Sequence, residues 1–279
     1  MNKSTIEIEM IQHFAAELRE DEKSNATVEK YVRDVKAFSN YLMNRELNKQ
    51  EVMNYKKMIT ESYAPASVNS MLVSINSFLK FINHPECRVK LLKIQRQMFL
   101  SEKKELTLRE YRKIVNAAGD SRIGLVMRTI CETGIRVSEL RYVTVEAVKQ
   151  GRAVVDCKNK TRVILIPAQL RKSLFTYIKK AGVFAGSVFV TKNGKPLERS
   201  NIWREMKALG KTADVDAEKI FPHNLRHLFA RTFYSVEHDI VRLADLLGHS
   251  SINTTRIYTI ENGREHANCL ERVHRVLIT

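Results

Sequence analysis

The second half of the chain carries a set of side chains whose types suit chemistry on a phosphate ester. The set consists of two arginines, two histidines and one tyrosine, namely Arg136, His223, Arg226, His249 and Tyr258. A phosphoryl-transfer transition state spreads negative charge over its non-bridging oxygens, and a protein meets that charge with fixed donors or metal ions. Arginine binds two phosphate oxygens at once and stays charged, whereas histidine donates a hydrogen bond or moves a proton near neutrality. Such a set could attack a phosphodiester without a metal ion.

The tyrosine makes this interpretation more specific. A phenol has an unperturbed pKa of about 10, so it is a poor nucleophile until a cationic site lowers the pKa or a base takes the proton. Arg136 and Arg226 would lower the pKa of Tyr258 if they lay beside it. A single tyrosine is more often a core or interface residue, so the assignment depends on the surrounding sequence.

Three short segments contain these residues, and they resemble the motifs of the tyrosine recombinase (phage integrase) family. TGIRVSEL at 133–140 resembles the first arginine box of that family, and HNLRH at 223–227 resembles its HxLRH box. LLGHSSINTTRIYT at 246–259 resembles its LLGH…TT..Y box, with nine residues from histidine to tyrosine. The match extends over the catalytic half of the chain, and the conjunction of boxes is far more specific than any one of them.

The resemblance implies a role for each residue. Arg136 and Arg226 would be the two catalytic arginines, His223 and His249 the two histidine positions, and Tyr258 the nucleophile. Glu139 follows Arg136 by three residues. The family's carboxylate at this position usually supports the catalytic residues, so the resemblance implies such a role for Glu139. An ordinary acidic residue on a helix surface is the alternative for Glu139.

The family also places a lysine in a β-hairpin after the first box. The segment CKNKTRVILIP at 157–167 is similar to that hairpin, which commonly reads GKGNK.R…P, but it is one residue shorter between its first lysine and the arginine. Lys158 is preferred because it directly follows the first predicted strand, and Lys160 is the alternative. The lysine would protonate the leaving 5′ oxygen.

The net charge favours a polyanionic partner. The 279 residues include 47 lysines and arginines against 31 aspartates and glutamates, for a formal net charge of +16. Residues 1–100 hold 15 basic and 12 acidic side chains, so residues 101–279 hold 32 and 19. Basic side chains set against nucleic-acid phosphates release counterions. Double-stranded DNA is therefore the expected partner, although a charge of this size alone also suits ribosomal proteins and repressors.

The cysteines and the apolar content indicate the cellular setting. The four cysteines lie far apart and include no CxxC or zinc-ligand pair: Cys87, Cys131, Cys157 and Cys269. The N-terminal residues lack an apolar signal-peptide core, and no apolar run approaches the roughly 18 residues of a membrane span. These features predict a soluble cytoplasmic protein with reduced thiols and no membrane partner.

The first hundred residues have a purely helical pattern. Four amphipathic stretches are predicted, at about 5–20, 26–44, 49–62 and 65–83. The last has seven apolar residues on one face: Val68, Met71, Leu72, Ile75, Phe78, Leu79 and Ile82. Four short helices without strand signals predict a small bundle with this stripe in its core.

The resemblance supplies a domain scheme and a fold class. Residues 1–88 would form a helical core-binding (SAM-like) DNA-binding domain, 89–104 a basic linker, and 105–279 the catalytic domain. The segment from Arg88 to Lys104 carries six lysines and arginines and would be either a solvated connector or a segment lying along DNA. The expected fold is mainly α-helical with a small β-hairpin in the catalytic domain, and the two domains would form a C-shaped clamp.

Local signals place the candidate residues on elements of the second domain. A capping box of Thr107 and Glu110 starts one helix, and a helix over about 121–132 ends at the Thr133-Gly134 turn, which puts Arg136 at the start of the next short helix. Pro222 starts the helix that carries His223 and Arg226.

Further predictions concern the hairpin and the segments around the histidines. Strands are predicted over Ala153–Cys157, Arg162–Ile166 and Ser187–Val190, and an amphipathic helix over Asp239–Leu247. A helix capped by Ser200 would carry Trp203 into the core. Thr254 and Thr255 are expected to supply packing or phosphate-side hydroxyls, and a terminal helix is predicted over Glu265–Ile278.

A zinc site competes for the histidines. His223 and His227 have the spacing of the HExxH motif, and His249 is available as a third ligand. Position 224 is asparagine instead of the glutamate base, and the charge of Arg226 would oppose a dication. The sequence therefore favours a site without metal or other cofactor.

The resemblance implies strand exchange by transesterification through a 3′-phosphotyrosyl enzyme and a Holliday junction, without ATP or metal. It implies a homotetramer on two DNA sites with exchange of the C-terminal helix, and it leaves an accessory protein open. A type IB topoisomerase, a catalytically inactive DNA-binding relative and a metal-dependent nuclease are the alternatives. The target sequence, and the choice between integration, dimer resolution and inversion, are not encoded in these patterns.

Overall fold

The computed structural model describes residues 8–43, 45–94, 105–157, 160–249, 251–256 and 263–278. The described residues are mainly helical with a single two-stranded antiparallel sheet, which confirms the predicted fold class. The chain divides into two compact units, Met1–Arg96 and Gln97–Thr279, each with its own apolar core. The C-shaped clamp and the boundaries of the linker stay predictions.

The described residues of the first unit form a bundle of four helices. They are α1 (Ile8–Glu20), α2 (Asn25–Leu42), α3 (Lys49–Ser62) and α4 (Pro65–Phe81), followed by a 3-10 turn at Pro85–Cys87. The predicted apolar stripe of α4 is in the core, where Val68, Leu72 and Phe78 are fully buried. Phe78 packs edge-on against Phe14 of α1, with ring centroids 5.3 Å apart. The stripe therefore joins the bundle, as its spacing predicts.

The first part of the basic segment is held against this bundle by two asparagines. The side chain of Asn76 accepts from the backbone N of Val89 and donates to its carbonyl, at 3.0 and 2.8 Å. Asn69 does the same for Leu92, at 2.7 and 2.9 Å. The chain as far as Leu92 thus has defined backbone partners, and contact with DNA stays a prediction for this segment.

The second unit contains the remaining helices and the sheet. Its α-helices are α5 (Leu108–Ala118), α6 (Arg122–Thr133), α7 (Val145–Gln150), α8 (Ala168–Ala181), α9 (Arg199–Ala213), α10 (Pro222–Glu237), α11 (Ile240–Leu247), α12 (Ile252–Thr255) and α13 (Gly263–Ile278). Among the residues that the structure describes, this unit also has 3-10 helices over Val137–Tyr142 and Ala217–Lys219. The predicted capping box is present at the start of α5, where Thr107 and Glu110 bond each other's backbone N.

The sheet is the predicted hairpin. Strand β1 (Arg152–Cys157) pairs antiparallel with β2 (Lys160–Leu165), with Cys157 opposite Lys160 and Val155 opposite Arg162. Its inner face includes Val155 and Ile164, which are buried, whereas Val154 and Val163 face outward. The hairpin thus has the alternation of a sheet with one covered face.

Three expectations in this unit are wrong, and they concern Ser187–Val190, Trp203 and the cap at Ser200. Ser187–Val190 forms only isolated bridges, Thr144 with Ser187 and Val190 with Pro196, because Thr144 is the residue that caps α7 and the paired chain cannot continue as a strand. Trp203 is not a core residue, since half of it is exposed and Lys207 lies 5.4 Å from its ring centroid.

The reason for the second error is the phase of α9. Ile202 and Met206 occupy its buried face, and Trp203 lies one residue past that face. Helix α9 is capped by Glu198 rather than by Ser200, which lies inside the first turn. Because a residue adds about 100° of rotation, a neighbour of a buried position in a helix can be largely exposed.

Gly134 ends α6 in a left-handed conformation at φ +65°, and its neighbours leave no space for a side chain. A Cβ there would lie 2.6 Å from the ring of Phe229, whereas a Cβ at Gly182, with φ +66°, would meet nothing within 4 Å. We expect Gly182→Ala to lower the free energy of unfolding by about 1–2 kcal/mol through backbone strain alone. Gly134→Ala should cost about 1–3 kcal/mol more because of the overlap.

Urea titrations followed by tryptophan fluorescence measure both variants. Trp203 is the single tryptophan of the chain and lies in the second unit, so its emission follows the unfolding of that unit. Equal losses at Gly134 and Gly182 would contradict the close packing of Phe229 on Gly134.

Candidate active site

Arg136 is held at the start of a 3-10 helix by a carboxylate. Its backbone N donates to Glu139 Oε2 and its Nη1 to Glu139 Oε1, both at 2.9 Å. Its Nη2 donates to the carbonyl of Gly248 at 3.2 Å. About 41% of the side chain remains exposed, so the guanidinium is fixed in place and still accessible to a ligand.

Arg226 lies deeper, on α10, and is only 4% exposed. Its Nη1 donates to the carbonyl of Gly134, and its Nη2 donates to the carbonyl of Leu247 at 2.7 Å and faces His249 Nε2 at 3.1 Å. A buried charge is tolerated when hydrogen bonds satisfy it, and two backbone carbonyls accept from this guanidinium. The arginine therefore places a permanently charged group in the interior of the site.

His249 joins the second arginine to the segment that follows. Its Nδ1 lies 2.9 Å from the hydroxyl of Thr255, which is fully buried. Since arginine can only donate, Nε2 accepts from Arg226, and the proton of the neutral ring is assigned to Nδ1. Burial, and then the charges of Arg226, Arg136 and Arg162, lower the pKa of His249 to about 4. The ring is therefore neutral at physiological pH.

His223 and His227 form a pair on the first turns of α10. Their Nε2 atoms are 2.8 Å apart, so one ring donates to the other. Burial and the charges of Arg226 and Arg199 lower the pKa of His223, and burial and the charges of His223, Arg231 and Arg226 lower that of His227 to about 3. Among the described residues, His249 does not form a three-histidine metal cluster with His223 and His227. Its ring contacts Arg226 and Thr255.

Glu139 is almost completely buried, between two arginines. Besides Arg136, it binds Nη2 of Arg162, a residue of β2 whose side chain is 13% exposed. Burial alone would raise the pKa of Glu139, but the backbone N–H of Arg136 and the ion pair with Arg162 outweigh it and lower the pKa. Glu139 is thus an ionised carboxylate, and its supporting role stays a prediction.

Three successive carbonyls at the end of α11 accept from three arginines. Leu246 O accepts from Arg162 Nη1 at 2.6 Å, Leu247 O from Arg226 and Gly248 O from Arg136. The last carbonyls of a helix have no partner within the helix and carry partial negative charge. We call this arrangement the carbonyl row, defined by residues 246–248. It explains why the LLGH segment matters structurally: its backbone aligns the guanidinium groups.

Two residues that position this site were not among the predicted ones. The sequence marks Arg162 only as part of the hairpin motif, whereas the structure places it at an inward position of β2 in line with Ile164. An arginine at an apolar position of an alternating strand is a signal that it has a buried partner. Thr255 was predicted only as a packing or phosphate-side hydroxyl, and its hydroxyl is bonded to His249.

The remaining predicted residues fall outside the described part of the chain. Tyr258 and Lys158 belong to the residues that the structure does not describe, and Lys160 is described by its backbone pairing with Cys157. Tyr258 follows Thr255 by three residues, and Thr255 is bonded to His249. The nucleophile and both candidate lysines stay predictions.

The described site has the chemistry of an anion receptor. It contains three arginines, one ionised carboxylate and a neutral histidine that accepts from an arginine. The positive excess and the hydrogen-bond donors suit a phosphodiester whose negative charge increases in the transition state.

Comparison with known proteins identifies the family. Residues 104–265 match the phage integrase family, and residues 11–85 match the N-terminal SAM-like domain of phage integrases. The chain belongs to the phage integrase family. The match of the family's catalytic part covers the whole arginine–histidine site and the position of Tyr258.

Members of the phage integrase family with similar sequences include tyrosine recombinases. The chain is 27% identical over 297 residues to tyrosine recombinase XerA of Pyrococcus furiosus, covering 98% of this chain and 99% of the relative. It is 28% identical to tyrosine recombinase XerD of Halalkalibacterium halodurans, covering 85% and 87%.

Solved structures of the family share the fold. A XerH site-specific recombinase bound to a palindromic difH substrate superposes with a TM-score of 0.71, at 15% identity, over 97% of this chain and 90% of the other. A lambda integrase dimer bound to a COC' core site has a TM-score of 0.73, at 20% identity, over 92% and 96%. Within the described residues, no helix has both the length and the apolar character needed to cross a bilayer.

Proposed function

We propose that this protein is a tyrosine site-specific recombinase that cleaves and rejoins double-stranded DNA. The observation that carries the proposal is the joint fixation of Arg136, Arg226 and His249 on the end of α11. Family membership and full-length similarity to the XerA and XerD recombinases support it. DNA as the partner is supported by the DNA complexes of proteins with the same fold.

Cleavage proceeds by in-line attack of Tyr258 Oη on the scissile phosphorus. Arg136 and Arg226 hold the non-bridging oxygens and lower the pKa of the phenol, while His249 and His223 assist proton movement and charge neutralisation. The bond from phosphorus to the 5′ oxygen breaks, and Lys158, or Lys160, supplies the proton to that oxygen. The phosphate becomes esterified to the tyrosine as a 3′-phosphotyrosyl enzyme.

Rejoining reverses the same step. The 5′-hydroxyl of a partner duplex attacks the phosphotyrosine, the tyrosine leaves, and the phosphodiester is restored without an external energy source. Two such exchanges lead through a Holliday junction to recombinant DNA. Because the arginines supply the positive charge, this scheme needs no divalent metal or ATP.

Strand exchange needs several protomers, and α13 is the element proposed to join them. Along this helix Val273, Val276 and Leu277 are 49%, 78% and 79% exposed, which is unusual for large apolar side chains. We propose that α13 docks on a neighbouring protomer, and that four protomers assemble on two DNA sites. A cytoplasmic location and an accessory protein belong to the same proposal.

Covalent capture of DNA on the protein tests the proposed reaction and also identifies the target sequence. The protein is expressed in cells, DNA bound to it is isolated under denaturing conditions, and the attached ends are sequenced. A single recurrent sequence joined through its 3′ phosphate to Tyr258 is the expected result. A failure to recover any attached DNA from the wild-type protein would contradict the proposed chemistry.

The mapped sequence then tests site pairing. A plasmid with two copies is incubated with the protein in EDTA, and deletion or inversion between the copies is expected. Relaxation of supercoils without exchange would indicate a topoisomerase of type IB instead. Cleavage that disappears in EDTA would indicate a metal-dependent nuclease.

A further inference from the structure

The side chain of Arg162 extends from β2 to the end of α11 and has defined partners there. Its Nη1 donates to Leu246 O at 2.6 Å, and its Nη2 is paired with Glu139 Oε2. The backbone of Gly248 lies so close that a Cβ there would be 2.5 Å from Arg162 Cδ. The guanidinium is therefore enclosed, and it faces the carboxylate that also holds Arg136.

The charges around Glu139 give Arg162 a consequence beyond packing. Glu139 has one negative charge, and two arginines share it: Arg136 on Oε1 and Arg162 on Oε2. The three groups together carry a net charge of +1. Without Arg162, the buried pair of Glu139 and Arg136 would be neutral, and Oε2 would lose its second partner beside the Arg136 backbone N–H.

A neutral pair would bind a phosphate less well. The attraction between two unit charges at contact distance is substantial at the effective dielectric of a protein surface. The guanidinium of Arg136 has to offer its donors and its charge to a non-bridging oxygen, and a carboxylate whose charge no other arginine balances competes for both. Arg162 provides that balance at Oε2 of Glu139.

We propose that Arg162 is a positioning residue that balances the charge of Glu139, so that Arg136 keeps its positive charge for the scissile phosphate. Arg162 acts through Glu139 and Arg136 and does not touch the DNA. The inference rests on the proposed recombinase function and adds to it a residue outside the predicted catalytic set.

Loss of Arg162 could also slow cleavage by a different effect, on the lysine that protonates the leaving group. Arg162 follows Lys160 by two residues in β2, so its loss could act on the leaving-group lysine at the hairpin tip. A substrate with sulfur in place of the 5′ bridging oxygen separates the two effects, because a thiolate leaves without being protonated. A defect in the acid is rescued by sulfur, whereas a defect in phosphate binding is not.

The experiment measures single-turnover formation of the covalent complex on a nicked suicide substrate that contains the mapped site. Four proteins are compared with the wild type: Arg162→Gln, Arg162→Lys, the double variant Arg162→Gln/Glu139→Gln, and Arg152→Gln as control. Arg152 is an exposed arginine of the same hairpin, so its variant loses the same charge without touching Glu139. Thermal unfolding of each protein is recorded under the same conditions.

We expect Arg162→Gln to slow cleavage on the order of 10- to 100-fold, as misplacement of a positioned group does. Removing the unbalanced carboxylate as well should recover a substantial part of the rate, and Arg162→Lys, which keeps the charge, should be less impaired than Arg162→Gln. The sulfur substrate should leave the defect unchanged. Arg152→Gln should cleave at close to the wild-type rate.

Several results would overturn the inference while leaving the proposed function intact. They are a wild-type rate for Arg162→Gln, a double variant slower than the single one, or rescue by sulfur. If Arg162→Gln does not fold, Arg162→Lys decides. A folded lysine variant keeps the charge, so a loss as large as the one expected for Arg162→Gln would exclude charge balance. A wild-type protein that forms no covalent complex would instead overturn the function on which the inference rests.

Discussion

We expect Tyr258→Phe to abolish the covalent attachment of DNA. Binding of the mapped site should stay close to that of the wild type. The phenol oxygen is the proposed nucleophile, and removal of a covalent nucleophile typically costs several orders of magnitude in rate. The phenylalanine keeps the aromatic ring and removes only the hydroxyl group. Measurement is by denaturing gel of the protein with labelled DNA, alongside a mobility shift of the uncleaved complex.

Tyr177→Phe is the matched control for this variant. Tyr177 also lies in the second unit, packs against Phe189 and belongs to no part of the proposed site. It should form the covalent complex at the wild-type rate. Persistent attachment in Tyr258→Phe, or attachment mapped to another tyrosine, would remove Tyr258 as the nucleophile.

Arg226→Gln is expected to lower the rate of cleavage on the order of 10³-fold, within the range found when one transition-state donor or arginine is removed. The buried guanidinium donates to Gly134 O, Leu247 O and His249 Nε2, and a glutamine cannot reach all of these atoms. The variant therefore loses both the charge beside the phosphate and the bond that orients His249. Single-turnover cleavage of the suicide substrate gives the rate.

The same substitution should weaken the fold of the second unit. A buried carbonyl that loses its donor costs about 1–3 kcal/mol, and two carbonyls depend on Arg226. Arg226→Lys, which retains one charge but not the planar fork, serves as the companion variant and should restore stability better than rate. Urea unfolding distinguishes loss of structure from loss of chemistry, and a stable Arg226→Gln protein with near wild-type cleavage would contradict the role of Arg226.

The parts of the fold that the sequence predicts well are those decided by local physics. The stripe of α4 is spaced for one helix face, the capping box at Thr107 needs only residues three apart, and Gly134 permits a left-handed turn. Each of these signals lies within one turn or one helix. They are visible without knowledge of the tertiary partner.

The errors concern tertiary partners. Ser187–Val190 has the composition of a strand, but the chain opposite it turns into α7 after Thr144, so only single bridges form. Trp203 is apolar and sits beside a buried position, yet the helix that carries it presents Ile202 and Met206 to the core instead. Neither outcome can be read from the residues alone, because each depends on what lies opposite.

The candidate site divides in the same way. The spacing of Arg136, His223, Arg226, His249 and Tyr258 identifies the family, but it does not reveal what holds the arginines. Arg162, the buried state of Glu139 and the neutral tautomer of His249 follow from contacts between segments far apart in sequence. Those contacts bring the ends of β2, α6 and α11 together, and sequence spacing says nothing about them.

The carbonyl row consists of backbone atoms, and this determines which genetic changes the site tolerates. No substitution at positions 246–248 can delete a carbonyl oxygen. Side chains therefore affect the carbonyl row only indirectly, as at Gly248, where a Cβ would lie 2.5 Å from Arg162 Cδ. An insertion or deletion of one residue within α11 would instead rotate its end by about 100° and move the acceptors away from three arginines at once. A change in the length of this helix would therefore displace all three arginine contacts together, whereas a change of one side chain acts on them one at a time.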